Sequence, residues 1–386
     1  MLFVASLLAV SATALAPFTV PIHKSAPFHL SNVPKQERHA ASARSAIHRF
    51  STSPGSAPLE NVYNFLYRAN ATVGKGQILT VDLDTGSSDV WVRGAKCTSS
   101  DGSCDGPKVN TADSTLKSTG KTYSITYGSG SCSGDIYTGP VAVGNAVASN
   151  LPFGVSTSEK GLAGVADGLL GLGYNGISTI SQQTGTSANW FDALGFSGAN
   201  NKFAFYLSDA SNGDSGEVTF GGVDTSKYTG AVNYVSVNSQ TYWQFDISQV
   251  SYSAGSSSGA LGGFFANNAI SDTGTSLIIL GTSQADAINQ GIGAQPYNST
   301  LGAYYIDCGI AKTGPSLDFK FPSFTLSVPS KYYVLDNGDG TCISGVTQGA
   351  GFLTPSIFGD VLSRAYYTVY DKANNKVGFA KAVHPQ

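Results

Sequence analysis

A short motif that occurs twice constrains this chain more than any other feature. Asp84-Thr85-Gly86-Ser87 follows an apolar, strand-like run at 78–83, and Asp272-Thr273-Gly274-Thr275 repeats the pattern 188 residues later. In each copy the glycine allows a sharp backbone turn, and hydroxyl side chains flank the carboxylate. A single Asp-Thr-Gly is typical of a capped turn, whereas two copies in matching contexts indicate a duplicated functional loop.

The two loops predict a pair of carboxylates that similar lobes bring face to face. Two carboxyl groups within a few ångströms cannot both ionise readily, so they share one proton. The ionised member can accept a proton from a water molecule held between them, while the protonated member donates to a substrate carbonyl. Asp84 and Asp272 are therefore the candidate catalytic residues for hydrolysis of an amide by water, without a covalent intermediate.

The histidines exclude several other kinds of hydrolytic site. Only His384 follows residue 57, and the other four precede it, at His23, His29, His39 and His48. A Ser-His-Asp or Cys-His centre needs a positioned imidazole, and a zinc protease usually needs two or more. A glycosidase with two catalytic carboxylates needs no histidine and is not excluded in this way, but its carboxylates would not lie in duplicated Asp-Thr-Gly turns. We therefore expect neither a metal nor a cofactor.

The composition favours a mostly β fold. Apolar residues make up 41% of the chain, as in a globular protein, whereas charged residues make up only 12% and glycine contributes 46 residues. Few charged helix formers and many Gly, Ser, Thr, Val and Tyr residues indicate strands. Short helices are expected at 187–194 and 283–290. With 386 residues, the chain is long enough for two domains that each bury a core.

At these motifs the chain resembles the pepsin-like aspartic proteases, and specifically their secreted fungal branch. The resemblance starts at about residue 59 and includes the segments 125–131, 167–173, 242–244 and 357–371. It implies a mostly β, bilobal pepsin-like aspartic protease fold with an active-site cleft between two related lobes. It also implies a monomeric aspartic-type endopeptidase that acts at acid pH on extended polypeptide substrates.

The resemblance assigns supporting roles around the two aspartates. Six motif residues are expected to support the pair: Thr85, Gly86, Ser87, Thr273, Gly274 and Thr275. The two threonines that follow the aspartates should tie the loops together across the cleft. Ser87 and Thr275 should donate hydrogen bonds to the carboxylates. The segments 167–173 and 357–359 should brace the two loops from behind.

A glycine-rich β-hairpin is predicted after the first motif. Residues 122–127 alternate between hydroxyl and large apolar or aromatic side chains, which predicts a strand, and 131–137 form the returning strand. A plain surface hairpin fits the local sequence. The resemblance instead implies a flap, in which Tyr127 closes over the substrate and Trp91 supports its hydroxyl. Gly128 and Ser129, at the tip, are then expected to contact the substrate.

Two further residues are predicted to contact the substrate. Strand alternation places Asp82 on the same face as Asp84, so its side chain is expected beside the scissile bond. Fungal relatives that accept lysine there carry an acidic residue two places after the flap tyrosine, where this chain has Ser129. A hydroxyl cannot neutralise a buried ammonium, so large apolar residues such as Phe and Leu should be preferred. Tyr242 is a candidate for the leaving-group side, although an aromatic at a strand start is more often a core residue.

The chain is expected to divide into four parts. Residues 1–16 have the apolar run and small-residue end of a secretory signal peptide. Residues 17–57 carry five basic residues and one acid, which leaves 17 basic and 24 acidic residues in the remainder. This segment is either a disordered linker or, as the resemblance implies, a propeptide that inhibits the enzyme by covering an acidic cleft. The N-terminal lobe is expected at 58–229 and the C-terminal lobe at 230–386.

The remaining features fit an exported protein. The resemblance implies disulfides between Cys97 and Cys104 and between Cys308 and Cys342, which leaves Cys132 as a free thiol. We expect a secreted, extracellular protein without membrane or nucleic-acid partners. Glycosylation sequons occur at 70–72 and 298–300, although the predicted strand around the first argues against its modification. The alternative from another class is a catalytically inactive member of the fold that binds proteins or glycans.

Overall fold

The structure is a computed structural model that describes residues 56–62, 64, 66–209, 216–254, 257–260, 268–299, 302–349 and 355–385. The expected signal peptide, and all but the last two residues of the expected propeptide, lie outside these ranges. Of the described residues, 51% lie in strands, so the prediction of a mostly β fold is confirmed.

The elements of the described residues are numbered here in chain order. The strands are β1 Ser56–Val62, β2 Leu66–Val73, β3 Gln77–Asp84, β4 Val90–Thr98, β5 Lys117–Thr126, β6 Ser131–Val143, β7 Ala146–Lys160, β8 Gly168–Gly171, β9 Lys202–Tyr206, β10 Gly216–Phe220, β11 Tyr228–Gln240, β12 Trp243–Asp246, β13 Gln249–Ala254, β14 Ser257–Ala260, β15 Asn268–Ser271, β16 Ile278–Gly281, β17 Tyr305–Ile306, β18 Ser316–Lys320, β19 Thr325–Val328, β20 Val334–Asp336, β21 Cys342–Ser344, β22 Val346–Gly349, β23 Ser356–Phe358, β24 Tyr366–Asp371 and β25 Lys376–Ala382. The helices are α1 Thr179–Thr184, α2 Trp190–Ala193, α3 Thr282–Gly291, α4 Ile310–Thr313, α5 Ser330–Tyr333 and α6 Asp360–Ala365.

The N-terminal strands wrap around one apolar core. Hydrogen-bonded neighbours run β2–β3–β8–β4–β7–β6 and return from β6 to β2, so these six strands close on themselves. The β3–β8 and β4–β7 pairs are parallel, and the others are antiparallel. Alternate residues point inward, as in β2, where Ala69, Ala71 and Val73 are buried. Half-buried strands can be predicted from the sequence because apolar and polar residues alternate along them with a period of two residues.

A central antiparallel sheet joins the two halves of the chain. Its order is β1–β10–β9–β24–β25–β11, so the early strands β1, β10 and β9 join the late strands β24 and β25 through the β9–β24 pair. Phe203 on β9 stacks on Tyr370 on β24 with ring centroids 4.8 Å apart, and Trp243 packs edge-on against the same tyrosine. This aromatic cluster packs the half of the chain that carries the first Asp-Thr-Gly motif against the half that carries the second. Trp243, the neighbour of Tyr242, is therefore a core residue.

The C-terminal strands repeat the local arrangement of the N-terminal ones. They pair in the order β11–β12–β15–β23–β16–β22, and the β15–β23 pair is parallel like β3–β8. Two smaller sheets, β14–β13–β18–β19 and β17–β21–β20, pack beside them. Each Asp-Thr-Gly motif thus follows a strand that has a parallel neighbour. The expected lobe boundary after Thr229 falls inside β11, next to Gly230, whose φ is +76°.

The helices and disulfides follow the sequence analysis. Predicted helices at 187–194 and 283–290 correspond to α2, capped by the side chain of Asn189, and to α3. The two disulfides join Cys97 to Cys104 and Cys308 to Cys342, as the resemblance implied. Within the described ranges, no helix has both the length and the apolar character needed to span a bilayer.

Candidate active site

The two Asp-Thr-Gly loops meet at the ends of equivalent strands. Asp84 is the last residue of β3, and its carbonyl accepts a hydrogen bond from the backbone N–H of Leu172, just beyond β8. Asp272 directly follows β15, and its own N–H donates to the carbonyl of Phe358, the last residue of β23. In both cases a parallel neighbour strand fixes the backbone of the aspartate.

The threonines of the two motifs are bonded crosswise. The backbone N–H of Thr85 donates to the hydroxyl of Thr273 at 3.1 Å, and the N–H of Thr273 donates to the hydroxyl of Thr85 at 3.0 Å. Each hydroxyl then donates onward to a carbonyl of the opposite strand: Thr273 to Leu83 at 2.5 Å, and Thr85 to Ser271 at 2.9 Å. All of these groups are buried, so the four bonds lock the loops into one unit.

Each carboxylate is held by two donors from its own loop. Asp84 accepts from the N–H of Gly86 at 2.7 Å and from the hydroxyl of Ser87 at 2.5 Å. Asp272 accepts from the N–H of Gly274 at 2.9 Å and from the hydroxyl of Thr275 at 2.6 Å. The two carboxylates therefore have matching surroundings and fixed orientations.

The motif glycines let each loop approach the opposite carboxylate. A Cβ at Gly86 would lie 2.4 Å from Oδ1 of Asp272, and a Cβ at Gly274 would lie 2.5 Å from Oδ1 of Asp84. These separations are shorter than any ordinary carbon–oxygen contact, so a side chain at either position would displace the partner. The glycines are thus needed for the close approach of the pair as well as for the turn.

The electrostatics of the pair favour retention of a proton. Burial raises the pKa of Asp84 well above its usual value, and the negative charge of Asp272 raises it further, as does that of Asp82. The hydrogen bond from Ser87 acts in the opposite direction. Asp84 is 6% exposed and Asp272 is 3% exposed, so little water screens the repulsion between them. Such a pair can donate and accept protons in the same step.

Two glycines outside the motifs allow the bracing segments to approach. A Cβ at Gly171 would lie 2.6 Å from the backbone of Ser88, and a Cβ at Gly359 would lie 2.0 Å from the carbonyl of Thr275. These glycines end β8 and follow β23, within the segments expected to support the loops. Their missing side chains permit backbone-to-backbone packing directly behind each aspartate.

The hairpin formed by β5 and β6 places a tyrosine near the pair. The strands pair from Thr126 and Ser131 outward, and the N–H of Tyr127 donates to the carbonyl of Gly130 at 2.7 Å. The indole N–H of Trp91 donates to the hydroxyl of Tyr127 at 2.8 Å. Burial raises the pKa of Tyr127, and among the charges that raise it further is that of Asp84. Gly128 and Ser129 are half-buried at the hairpin tip.

The other two predicted substrate contacts also lie close to the aspartates. Asp82 is buried, and its charge contributes to the raised pKa of Asp84. Tyr242 is half-buried against Ile270, and burial raises its pKa together with the charges of Asp272 and Asp84. Both residues are therefore within electrostatic range of the pair.

A further carboxylate near Asp84, Asp272 and Asp82 was not predicted from the sequence. Asp360 is 1% exposed, and its Oδ1 has no hydrogen-bond partner among the described residues. Its backbone N–H donates to the carbonyl of Thr275 at 2.9 Å. Burial raises the pKa of Asp360 well above its usual value, although the Arg364 guanidinium lowers it. Its position directly after the bracing segment 357–359 was the signal that could have identified it.

A buried hydroxyl pair was also missed. The hydroxyls of Ser271 and Tyr370 share a hydrogen bond of 2.8 Å directly beneath the Thr85 loop. Nothing in the local sequence around residue 370 indicates this contact, because its partner lies 99 residues away.

The potential metal ligands do not form an available site in the described residues. The three groups that approach one another there belong to Cys97, Cys104 and Glu159, and the two sulfurs are joined in a disulfide. The Glu159 carboxylate accepts from the hydroxyl of Ser156 and pairs with Arg93. The carboxylate of Glu159 is therefore already engaged by a hydroxyl and a guanidinium, and not by a metal ion.

Comparisons with known proteins agree with the geometry. The profile of the family described as eukaryotic aspartyl protease matches residues 66–382. The chain is 35% identical to embryonic pepsinogen from Gallus gallus over 342 residues, covering 84% of this chain and 83% of that protein. It is 35% identical to vacuolar protease A from Aspergillus fumigatus, covering 84% and 81%. It is also 35% identical to pepsin II-1 from Oryctolagus cuniculus, covering 86% and 84%.

Proposed function

The chain belongs to the eukaryotic aspartyl protease family and is an aspartic-type endopeptidase, and we propose that Asp84 and Asp272 perform its chemistry at acid pH. The observation that carries this proposal is the crosswise bonding of Thr85 and Thr273, which holds two buried carboxylates against each other. A purely structural loop pair would not need to bury two acids side by side, because each costs free energy when ionised.

The proposed reaction is a direct attack by water. The pair holds one proton, and the ionised carboxylate accepts a proton from a water molecule bound between the two aspartates. The water oxygen attacks the peptide carbonyl carbon while the protonated carboxyl donates to the carbonyl oxygen. The resulting tetrahedral diol collapses as the leaving nitrogen takes a proton, which releases an amine and a carboxylic acid. The raised pKa of Asp84 supports a one-proton state under acid conditions.

The hairpin tip is proposed to close over an extended peptide. Tyr127 is oriented by the indole of Trp91, and the polar backbone of Gly128 and Ser129 can pair with the main chain of a substrate strand. Tyr242 is proposed to line the leaving-group side. Closure would exclude water from the reacting bond, which strengthens the electrostatic contribution of the pair.

We propose a preference for large apolar residues beside the scissile bond. Asp82 lies in the same buried, acidic region as Asp84, and Ser129 offers no second charge at the hairpin tip. Ser129→Asp should improve cleavage after lysine, and Asp82→Leu should remove any that the wild type shows. Equal cleavage after lysine and phenylalanine by the wild-type enzyme would contradict this pocket assignment.

Export and inhibition by the segment 17–57 are also proposals. A relative named pepsinogen, and the positive charge of this segment against the net negative remainder, support a propeptide that covers the acidic cleft. The enzyme would then be a secreted or vacuolar monomer, with lobes at 58–229 and 230–386. Acid would release the segment by protonating carboxylates of the cleft. Full-length protein that is equally active at pH 7 and pH 4 would contradict this inhibition.

A statine-type peptide distinguishes an active enzyme from an inactive member of the fold. Its tetrahedral hydroxyl mimics the diol, so it should bind a one-proton carboxylate pair far more tightly than the matching substrate peptide. We expect stoichiometric inhibition of peptide hydrolysis by the acid-treated protein. Weak binding equal to that of the substrate peptide, with no hydrolysis at any acid pH, would support the inactive alternative.

A further inference from the structure

The outer face of the N-terminal sheet carries an apolar row. Ile78 and Val147 are 66% and 50% exposed, and they are two of the three exposed large hydrophobic residues among those described. The strand registers pair Ile78 with Thr72, Thr72 with Ala142, and Ala142 with Val147. These four residues, three of them apolar and the fourth the hydroxyl-bearing Thr72, therefore lie side by side across β3, β2, β6 and β7. At about 4.8 Å between strands, the row extends roughly 14 Å across the solvent-facing surface.

The first glycosylation sequon lies on this same face. Asn70 is two residues before Thr72 on β2, so the two side chains point to the same side of the sheet. Asn70 is exposed, whereas its neighbours Ala69 and Ala71 point into the core. Asn70 pairs with Thr80, which makes Ile78 its diagonal neighbour, at roughly 7–8 Å. The strand therefore presents the asparagine side chain to solvent.

We propose that Asn70 is an N-glycosylation site whose oligosaccharide covers the apolar row formed by Thr72, Ile78, Ala142 and Val147. The side-chain amide nitrogen forms a bond to the anomeric carbon of a lipid-diphosphate-linked oligosaccharide. The bond from that carbon to the diphosphate oxygen breaks, the amide loses one proton, and the lipid diphosphate leaves. No oxidation or reduction is involved. This inference is independent of the catalytic pair and goes beyond the proposed function.

The surroundings of Asn70 suit a covering sugar. Thr80, which pairs with Asn70, is uncharged. Arg68, two residues before Asn70 on the same face of β2, is paired with Glu60 at 2.8 Å, so neither side chain presents an unpaired charge to a neutral oligosaccharide. Val147 lies two strands and two residue positions from Asn70, or roughly 12 Å by strand geometry. A branched oligosaccharide is bulky, solubilising and long enough to lie over that distance. The oligosaccharide would therefore cover the apolar row, which could otherwise mediate self-association of the protein.

Site occupancy is the direct test. The full chain is produced in a eukaryotic secretory host, and the peptide that contains residue 70 is analysed by mass spectrometry before and after enzymatic deglycosylation in heavy-oxygen water. Wild type and Thr72→Ser, which keeps the sequon, should carry sugar at Asn70 in most copies. Asn70→Gln should carry none. A secreted wild-type protein with unmodified Asn70 would overturn the proposal, whatever the state of Asn298.

Self-association of the protein tests whether the oligosaccharide at Asn70 covers the apolar row. Asn70→Gln should self-associate more than wild type in light scattering and should bind more of an apolar dye, while peptide hydrolysis stays unchanged. Adding Ile78→Thr to Asn70→Gln should reverse both effects, because it removes the most exposed apolar side chain of the row. Asn298→Gln is the matched control for loss of a sequon away from this face. Equal self-association of wild type, Asn70→Gln and the double variant would overturn the covering role.

Discussion

The backbone N–H of Thr85 donates to the hydroxyl of Thr273, and the N–H of Thr273 donates to the hydroxyl of Thr85. This reciprocal contact couples the position of Asp84 to the loop that carries Asp272, and the position of Asp272 to the loop that carries Asp84. A displacement of one loop must move both carboxylates, so the separation of the pair is set by these two threonines. The account predicts that catalysis depends on them although neither needs to contact the substrate.

Replacing Thr85 or Thr273 by valine keeps the shape of the side chain and removes its hydroxyl. Each change leaves a buried N–H without its acceptor, so we expect a loss of about 1–3 kcal/mol in the free energy of unfolding, and a lower kcat. The loss of unfolding free energy in the double variant should be smaller than the sum of the losses in the two single variants, because the four hydrogen bonds depend on one another. Urea unfolding and steady-state kinetics measure both effects.

Thr347 offers the matched control. Its buried hydroxyl donates to the carbonyl of Gly302 at 3.0 Å and not to either Asp-Thr-Gly loop. Thr347→Val should reduce stability while leaving kcat unchanged. Equal kcat for Thr85→Val, Thr347→Val and the wild type would contradict the role of the crosswise bonds.

Trp91→Phe should lower the activity that depends on the β5–β6 hairpin more than it lowers the stability of the core. The change removes the N–H that donates to the Tyr127 hydroxyl, so the tyrosine loses its fixed orientation. We expect kcat/KM for peptide substrates to fall while thermal stability changes little. Trp190→Phe is the control, because its indole N–H donates to the Val141 carbonyl in the core. If Trp190→Phe lowers kcat/KM as much as Trp91→Phe, the tyrosine–tryptophan contact has no special role.

Stability should fall as the pH rises from 4 to 8. Burial raises the pKa of Asp84, Asp89, Glu159 and Asp360 in the folded protein. Above the ordinary carboxyl pKa of about 4, the folded state therefore holds more protons than the unfolded state. The stabilisation of the folded state by these bound protons is complete below about pH 4. It is lost as the pH rises through the raised pKa values of the folded-state carboxyls. Calorimetry should give a higher Tm at pH 4 than at pH 8.

Asp360→Asn isolates one of these groups. It removes a buried charge near the pair, so Tm should fall less steeply with pH than in the wild type. Asp113→Asn is the control, since hydrogen bonds from the backbone of Lys75 and Thr115 lower the pKa of Asp113 to about 2. The stabilising contribution of that group is constant above about pH 4 and is lost only as the pH falls toward its folded-state pKa. A wild-type Tm that is higher at pH 8 than at pH 4 would contradict the account.

Arg93 holds together a buried charged cluster next to β3, the strand that ends at Asp84. Its guanidinium pairs with Glu159 at 3.3 Å and with Asp167 at 3.0 Å, and it is 2% exposed. Arg93→Met would leave two carboxylates without their buried partner, so we expect a loss of about 3–5 kcal/mol in unfolding free energy. Arg68→Met breaks the more exposed pair with Glu60 and should cost only about 0–1 kcal/mol. Similar losses for the two variants would contradict the importance of burial.

The duplicated motif made the meeting of the two Asp-Thr-Gly loops and the crosswise threonine contacts predictable, because the same four-residue pattern occurs twice in the sequence. The hairpin was predictable because alternation and glycines are local signals. Asp360 and the Ser271–Tyr370 contact were not, since each depends on segments that meet only in the folded protein. Arg93 had a signal that went unused: a charged residue directly after Val90-Trp91-Val92 must be paired if that strand is buried.

The activity of Asp272→Asn tests the central claim most directly. The amide cannot share the proton or accept one from water, so peptide hydrolysis should fall by at least about 10²–10⁴-fold, and Asp84→Asn should behave alike. The wild type should show a bell-shaped acid pH profile whose limbs belong to the pair. Circular dichroism should show that both variants remain folded. Substantial turnover by folded Asp272→Asn, with a pH profile like that of the wild type, would contradict the account.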